Sequence, residues 1–430
     1  MSERLALLGG PKVRSRPFPP YPVLGDEERQ AVLEVLEEGR LSTFIAEPGE
    51  HFLGGRRIRE FEKAFAEYHG VAYAVAFNSC TAALHAAVVA TDVEPGQEVI
   101  VPPYTFTSTA TCALMQGAIP VFADVDAETF CLDPKAVETA ITSLTRAIIP
   151  VHLFGHPAPM DEIMALARKR NLKVIEDCAQ APGAVYKERR VGTLGDCGVF
   201  SFQESKNMMT GEGGMLITDD EGIAEIARLV RNHGEAVMEA MKERSYRSDI
   251  LGWNYRMTEF EAALGLVQLR RLELQNQKRR FLAKHLSELL FGIEGLRTPK
   301  VQEGCEHVYY VYPLLVDENR LGLSRDLFAE ALRAEGIPVG AGYVRPLYLN
   351  PLYQERRALA YRSYKGNVRY DPGICTVAEK LHFRSLLLIP VCRLPAKRED
   401  IEDIAAAMRK VICAKKELLE SEARLVAQTA

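Results

Sequence analysis

The sequence predicts an α/β protein: a mainly parallel sheet covered by helices on both faces, followed by a smaller α+β unit. Two observations carry this. From Ala72 to Ile175 short apolar runs alternate with helix-period segments, and parallel strands buried on both faces read as such continuous apolar runs. After Gly295 the alternation gives way to one long apolar run, one helix and a stretch rich in Pro, Tyr and Gly.

The elements follow in order. Residues 1–25, with Pro17-Phe18-Pro19-Pro20-Tyr21-Pro22, form an extended arm, because proline fixes φ and removes an amide donor. Asp26 is expected to cap a helix running to Glu38. Residues 41–55, with Gly49, Gly54 and Gly55, read as a loop, and a helix follows over Arg57–Tyr68. Strands are expected at Ala72–Phe77, Glu98–Val101, Ile119–Phe122, Ala147–Val151 and Leu172–Ile175, with helices starting at Thr81 and Thr107 and one over Met160–Arg170. Val199–Phe202 is a short buried strand, and Met215-Leu216-Ile217 begins the next apolar run. Helices are expected over Glu221–Asn232 and Thr258–Leu290. A strand (Val308–Val316), a helix (Ser324–Glu335), a polar irregular stretch (355–380) and a last amphipathic helix (Arg398–Leu425) complete the chain. The domains are expected as an arm (1–25), a large domain (26–289) and a small C-terminal domain (290–430).

Composition narrows the function classes. The 430 residues are 47% hydrophobic and 26% charged, enough to build a large core. A net charge of −5 without a basic stripe argues against nucleic acid as a partner. The nine cysteines are scattered and no CxxC pair occurs, so no metal site is expected and a reduced, cytoplasmic setting fits. The first residues lack the apolar core of a signal peptide, and no apolar stretch reaches the roughly 18 residues a membrane span needs.

The chemistry centres on Lys206, set between the apolar run ending at Phe202 and the cluster Gly211-Glu212-Gly213-Gly214. A lysine held at a strand end facing a cleft can serve as a Schiff-base nucleophile, and the glycines permit the tight turn that follows. In sheets of this kind ligands bind beyond the carboxyl ends of the strands, where the other polar candidates also fall. Asn78-Ser79-Cys80-Thr81 ends one strand and opens a helix, whose free N–H groups suit a phosphate; Thr81 is equally an ordinary cap. Tyr104-Thr105-Phe106 offers an aromatic platform after the next strand. Asp177 ends a buried strand, where a carboxylate needs a partner such as a cationic ring nitrogen. Gly252 to Thr258 places the only Trp beside Asn254, Tyr255 and Arg256, just before a helix.

Six motifs in order then carry a resemblance that spans nearly the whole chain: Ser79-Cys80-Thr81-Ala82-Ala83-Leu84-His85, Val101-Pro102-Pro103-Tyr104-Thr105-Phe106, Pro150-Val151-His152-Leu153-Phe154-Gly155, Glu176-Asp177-Cys178-Ala179-Gln180, Phe200 through Gly214, and Asn254-Tyr255-Arg256-Met257. Together they resemble the DegT/DnrJ/EryC1/StrS family of sugar aminotransferases, which depend on pyridoxal 5'-phosphate (PLP) and have the fold-type I architecture with a seven-stranded sheet. The resemblance implies that Lys206 holds PLP as a Schiff base and shuttles the proton, with the amine form PMP as intermediate. Asp177 would pair with the pyridine nitrogen, Phe106 stack on the ring, and Gln180 bond near the ring oxygen. Cys80, Thr81 and Ser201 would hold the phosphate, with Asn254 reaching in from the second subunit of a homodimer. The implied reaction moves an amino group from glutamate or glutamine to a keto-sugar or keto-cyclitol.

Cys80 stands where many members have glycine, and the 355–380 stretch, absent from shorter members, falls in the domain expected to line the substrate side. The N-terminal Leu5 to Pro11 and the long C-terminal half look more like the inosose aminotransferases. The alternatives are a sugar dehydratase of the same family, in which histidine replaces the Schiff-base lysine, and a non-catalytic sugar-binding relative, which would need neither Asp177 nor Lys206.

Overall fold

The computed structural model describes residues 4–44, 50–235 and 247–429. Seven strands form the main sheet: β1 (Tyr73–Phe77), β2 (Glu98–Val101), β3 (Ile119–Phe122), β4 (Thr145–Ile148), β5 (Lys173–Asp177), β6 (Cys197–Ser201) and β7 (Gly214–Thr218). Their order is β1-β7-β6-β5-β4-β2-β3. The pairs β6–β5, β5–β4, β4–β2 and β2–β3 are parallel, and β7 runs antiparallel to both its neighbours. The strand cores are short apolar runs, as burial on both faces requires.

Helices α1 (Asp26–Glu38), α2 (Arg56–His69), α3 (Cys80–Ala90), α4 (Ser108–Met115), α5 (Pro134–Ala140), α6 (Met160–Arg170) and α7 (Glu221–Arg231) lead to α8 (Glu259–Leu290), a 32-residue helix. Thr258 opens α8 with a capping box, its hydroxyl accepting from Glu261 N while the Glu261 carboxylate accepts from Thr258 N at 2.6 Å. The second half of α8 then packs into another apolar cluster. This cluster is built on a four-stranded sheet of β8 (Leu296–Arg297), β9 (Tyr312–Val316), β10 (Gly340–Ala341) and β11 (Leu386–Ile389), in the order β8-β9-β11-β10, with α9 (Arg325–Ala334) and α10 (Arg398–Cys413). Among the described residues no helix is long and apolar enough to cross a membrane.

Several expected boundaries move, each for a local reason. Gly25 rather than Asp26 is the N-cap of α1; Asp26 is the first helical residue, and Glu28 accepts from Gly25 N at 2.8 Å. Gly49 of the expected 41–55 loop lies outside the described residues. β4 ends at Ile148, before Pro150, which has no amide to give a ladder. β9 begins at Tyr312 and not at Val308, because residues 308–310 bond to another loop: Val308 N donates to Gly155 O at 3.0 Å and Tyr310 N to Phe154 O at 2.8 Å. The last helix is two, α10 and α11 (Lys415–Thr429), divided at Ala414.

The largest departure concerns residues 355–380. None of them lines the central cavity. The surrounding stretch, from Leu347 to Leu381, shares a core with the seven-stranded sheet and covers its β3 edge. Tyr353 and Tyr370 bury their rings against Phe122, and the Tyr370 hydroxyl donates to Pro120 O at 2.8 Å. A tyrosine can bury its ring while its hydroxyl finds an acceptor, so a stretch that reads as polar still builds core.

Candidate active site

The carboxyl ends of β1, β2, β5 and β6 meet at one end of the sheet around a cavity of about 470 Å³. Cys80, Thr81, Phe106, Asp177, Gln180, Ser201 and Lys206 all line it, although they come from four separate connections. Parallel strands put every strand-to-helix turn on the same side, which is why distant sequence motifs converge here.

At the β1–α3 turn, Ser79 caps the helix by accepting from Ala82 N at 3.1 Å. Ser79, Cys80 and Thr81 line the cavity, so the start of α3 and the positive end of its dipole form part of the wall. β7 starts directly against this turn. A Cβ on Gly214 would stand 2.5 Å from the carbonyl carbon and oxygen of Ser79 and 2.6 Å from Cys80 N, so only glycine allows the two backbones to touch. The Cys80 thiol is buried, and burial together with the nearby Asp177 charge raises its pKa well above the ordinary value. It is thus a neutral small group and not a nucleophile.

Asp177 is buried at the end of β5, where Val151 bridges beside it. Its Oδ2 accepts from Thr109 Oγ1 at 2.8 Å and its Oδ1 from Ala179 N at 3.1 Å. Thr109 is in turn 3.0 Å from Thr105 Oγ1. No Arg or Lys lies within ion-pair distance among the described residues. Burial raises the Asp177 pKa, while the Thr109 hydrogen bond, the Ala179 amide and Lys206 oppose the rise. The neighbouring Glu176 is already saturated. Gly192 N, Leu194 N and Gly195 N donate to it at 2.6–2.8 Å. His152 Nε2 also lies 3.0 Å away. Ala158 N donates to His152 Nδ1, so the proton sits on Nε2 and points at Glu176. Glu176 ties the 192–195 turn to the sheet, and Asp177 is the acid that faces the cavity.

Lys206 lies in the β6–β7 connection and is followed by two buried residues. Asn207 Nδ2 donates to Asn276 Oδ1 at 3.1 Å and to Val308 O at 3.0 Å, and Met208 is fully buried. Lys206 N donates to Gln203 O at 2.8 Å. The side chain alone is left to enter the cavity, where its Nζ stands 4.7 Å from the centre of the Tyr310 ring.

The Gln180 amide holds two walls together, accepting from Phe154 N at 2.8 Å and donating to the Tyr343 hydroxyl at 2.9 Å. Phe106 is half exposed at the cavity mouth. Asn254 is not among the residues lining the cavity of its own chain. Its side chain accepts from Arg256 Nε at 3.0 Å, and the 254–255 backbone docks on Asn78, just outside the start of α3. Thr109, Ser205, Glu212, Tyr310 and Tyr343 belong to the site and were not singled out from sequence. Thr109 does carry a signal: it is the second residue of α4, just after Tyr104-Thr105-Phe106, where a hydroxyl can turn toward the neighbouring strand end.

The residues present suit a phosphate-bearing aromatic cation. The α3 amides match an anion, the Asp177 carboxylate lacks a cationic partner, and an amine stands free to bond to a carbonyl.

Comparison with known proteins is consistent with this chemistry. The sequence profile of the DegT/DnrJ/EryC1/StrS aminotransferase family matches residues 24–409. An L-glutamine:2-deoxy-scyllo-inosose aminotransferase of Streptomyces paromomycinus is 37% identical over 429 residues, covering 96% of this chain and 98% of that protein. GDP-perosamine synthase of Caulobacter vibrioides is 40% identical over 333 residues, covering 77% of this chain and 85% of its own length. Among solved structures, an aminotransferase from Psychrobacter cryohalolentis superposes with a TM-score of 0.82 at 32% identity, over 92% of this chain and 99% of that one.

Proposed function

The chain belongs to the DegT/DnrJ/EryC1/StrS aminotransferase family, and on that premise we propose that it moves an amino group from glutamate or glutamine to a keto-sugar or keto-cyclitol, using PLP bonded to Lys206. The observation that carries this reading is the convergence of one free lysine, one unpaired buried carboxylate and one helix N-terminus on a single cavity.

Bound PLP supplies an electron sink into which a bond at the substrate carbon can empty. The chain's residues do the rest. Asp177 holds a proton on the ring nitrogen, with Thr109 and the Ala179 amide keeping the carboxylate oriented. The α3 amides, with the Thr81 and Ser201 hydroxyls, hold the phosphate. Phe106 covers one face of the ring. With PLP bound, the Lys206 amine would carry a proton to and from the substrate carbon, as general acid and base in turn. Two half-reactions then share one site. In the proposed homodimer Asn254 completes the phosphate contacts of the second copy's cavity, which suits its place outside its own.

The names of the relatives support the acceptor class: one acts on an inosose with L-glutamine, and the other makes GDP-perosamine. The test is the visible spectrum of protein loaded with PLP. Colour that is absent in Lys206→Ala, is discharged by glutamine or glutamate, and returns with keto-sugars or scyllo-inosose is the expected result. The variant should turn over at least about 10³-fold more slowly, since the covalent bond and the proton carrier are lost together. A protein that takes up no PLP, or whose colour no donor discharges, overturns the proposal.

A further inference from the structure

The extended arm ahead of α1 reaches the catalytic lysine. Arg14 fastens the arm to α10, pairing with Asp400 at 2.8 Å and lying 3.8 Å over the Phe18 ring. Tyr21 follows, and its hydroxyl donates to the backbone carbonyl of Lys206. Its ring lies under the Arg393 guanidinium, 3.9 Å from the centroid.

Arg279, on α8, is fully buried and has no carboxylate within ion-pair distance among the described residues. Its Nη2 donates to the Tyr21 hydroxyl at 3.2 Å and its Nη1 to the carbonyl of Tyr309 at 3.2 Å. The next residue, Tyr310, carries the ring beneath Lys206 Nζ and a hydroxyl 2.9 Å from Ser205 Oγ. One guanidinium thus reaches both ends of the lysine: the main chain through Tyr21 and the ammonium through Tyr309 and Tyr310. Burial lowers the Arg279 pKa to about 10, with the Tyr21 hydroxyl the strongest influence in the other direction. A methionine would fill similar space without burying a charge. What the guanidinium contributes is its donors, and those two bonds are where they go.

We propose that Tyr21, oriented by Arg279, is a positioning residue that fixes the Lys206 main chain so that the amine swings from a rigid pivot. The Tyr21 hydroxyl accepts from a cation while donating to the Lys206 carbonyl, and each bond in such a chain polarises the next. A fixed pivot matters because the same amine must reach both the cofactor and the substrate carbon.

The inference rests on the aminotransferase reading for its catalytic consequence, but its structural part is measured without cofactor. In cofactor-free Tyr21→Phe, the ring stays under Arg393 and only the hydroxyl goes. Amide hydrogen exchange across residues 203–210 should accelerate about five- to tenfold, the factor one hydrogen bond is worth. Arg279→Met should accelerate exchange there and across 308–310 as well. In PLP-loaded Tyr21→Phe, single-turnover discharge by the donor should slow by the same factor at an unchanged half-saturating donor concentration. A residue that merely stabilised the fold would not move that rate. Exchange and single-turnover rates both at parent values overturn the proposal. A parent protein that binds no PLP overturns the aminotransferase reading instead, and the exchange experiment still decides the role of Tyr21.

Discussion

Between β6 and β7, residues 202–213 cross the carboxyl end of the sheet, while residues 347–381 wrap its β3 edge. Within the first stretch, main-chain bonds cross from one side of the loop to the other. Phe202 N donates to Gly213 O at 2.9 Å, Thr210 N to Phe202 O at 2.8 Å and Glu204 N to Gly211 O at 2.9 Å. The second is stitched by side chains. Tyr364 donates to Glu98, Tyr348 to Glu379 and Tyr370 to Pro120 O, and Asp124 accepts from Val377 N and Ala378 N at 2.9 and 3.0 Å. Main-chain bonds fix a backbone whatever its side chains are, which leaves Lys206 free for chemistry. Hydroxyl and carboxylate bonds use their side chains up, and the result is a cover over a strand edge that would otherwise present unpaired groups. Substitutions in the first region should therefore change chemistry, and substitutions in the second should change stability alone.

The largest expected effect short of removing the lysine itself tests the acid facing its loop. Asp177→Asn should lower turnover of the loaded enzyme roughly 10²–10³-fold, the scale of losing one preorganised electrostatic partner. Stability of the cofactor-free chain should move the other way. Burial raises the folded-state pKa of Asp177, so the folded chain binds a proton more tightly than the unfolded chain. Stability then falls as pH rises through the window between the two values, and the penalty persists above it. The asparagine variant lacks that penalty. At neutral pH its cofactor-free melting temperature should match or exceed the parent's, and the difference should vanish as the pH drops into the ordinary carboxylate range. Thermal melts at several pH values check this. A cofactor-free variant less stable than the parent at neutral pH would remove the unpaired carboxylate from the account.

The two regions were unequally legible in the sequence. Lys206 and Asp177 stand out because each charge follows within a few residues of the end of an apolar run, which is a local signal. The strand–helix alternation that builds the sheet is local too. The partners of these residues are not. Thr109 meets Asp177 across 68 residues, Ser205 meets Tyr310 across 105, and Gln180 meets Tyr343 across 163. Tyr310 was hidden for a further reason: residues 308–310 have strand composition, yet their amides bond to the 154–155 loop. The tyrosines of 355–380 do not read as core because hydropathy averages over a ring and a hydroxyl that end up in different surroundings. Tyr364 finds Glu98 across 266 residues, and no window along the chain contains both.

A smaller effect is expected where the lysine loop ends. Gly214→Ala places a methyl 2.5 Å from the Ser79 carbonyl, so β7 and the start of α3 must separate. Overpacking of this kind costs about 1–3 kcal/mol. Because the displaced amides are those at the cavity wall, PLP affinity should fall along with the melting temperature, which equilibrium dialysis and a thermal melt together would show. A loss of stability with unchanged cofactor affinity would place the phosphate contacts elsewhere.

The smallest effect belongs to the edge. Tyr364→Phe removes one donor from Glu98, a buried carboxylate. Glu98 keeps Thr142 Oγ1, and Thr145 Oγ1 at 3.4 Å, so its charge is not stranded and the cost should stay near the lower end of the range for a bond to a charged group, about 1.5 kcal/mol. The phenyl ring keeps its packing, and the site lies beyond the cavity, so turnover and half-saturating concentrations should equal the parent's. A denaturant melt and a steady-state assay on the same preparation measure both. Should Tyr364→Phe instead slow turnover at unchanged stability, the edge would be coupled to the cavity. The route would run through β2, whose carboxyl end leads into Phe106 and, through Thr105 and Thr109, to Asp177.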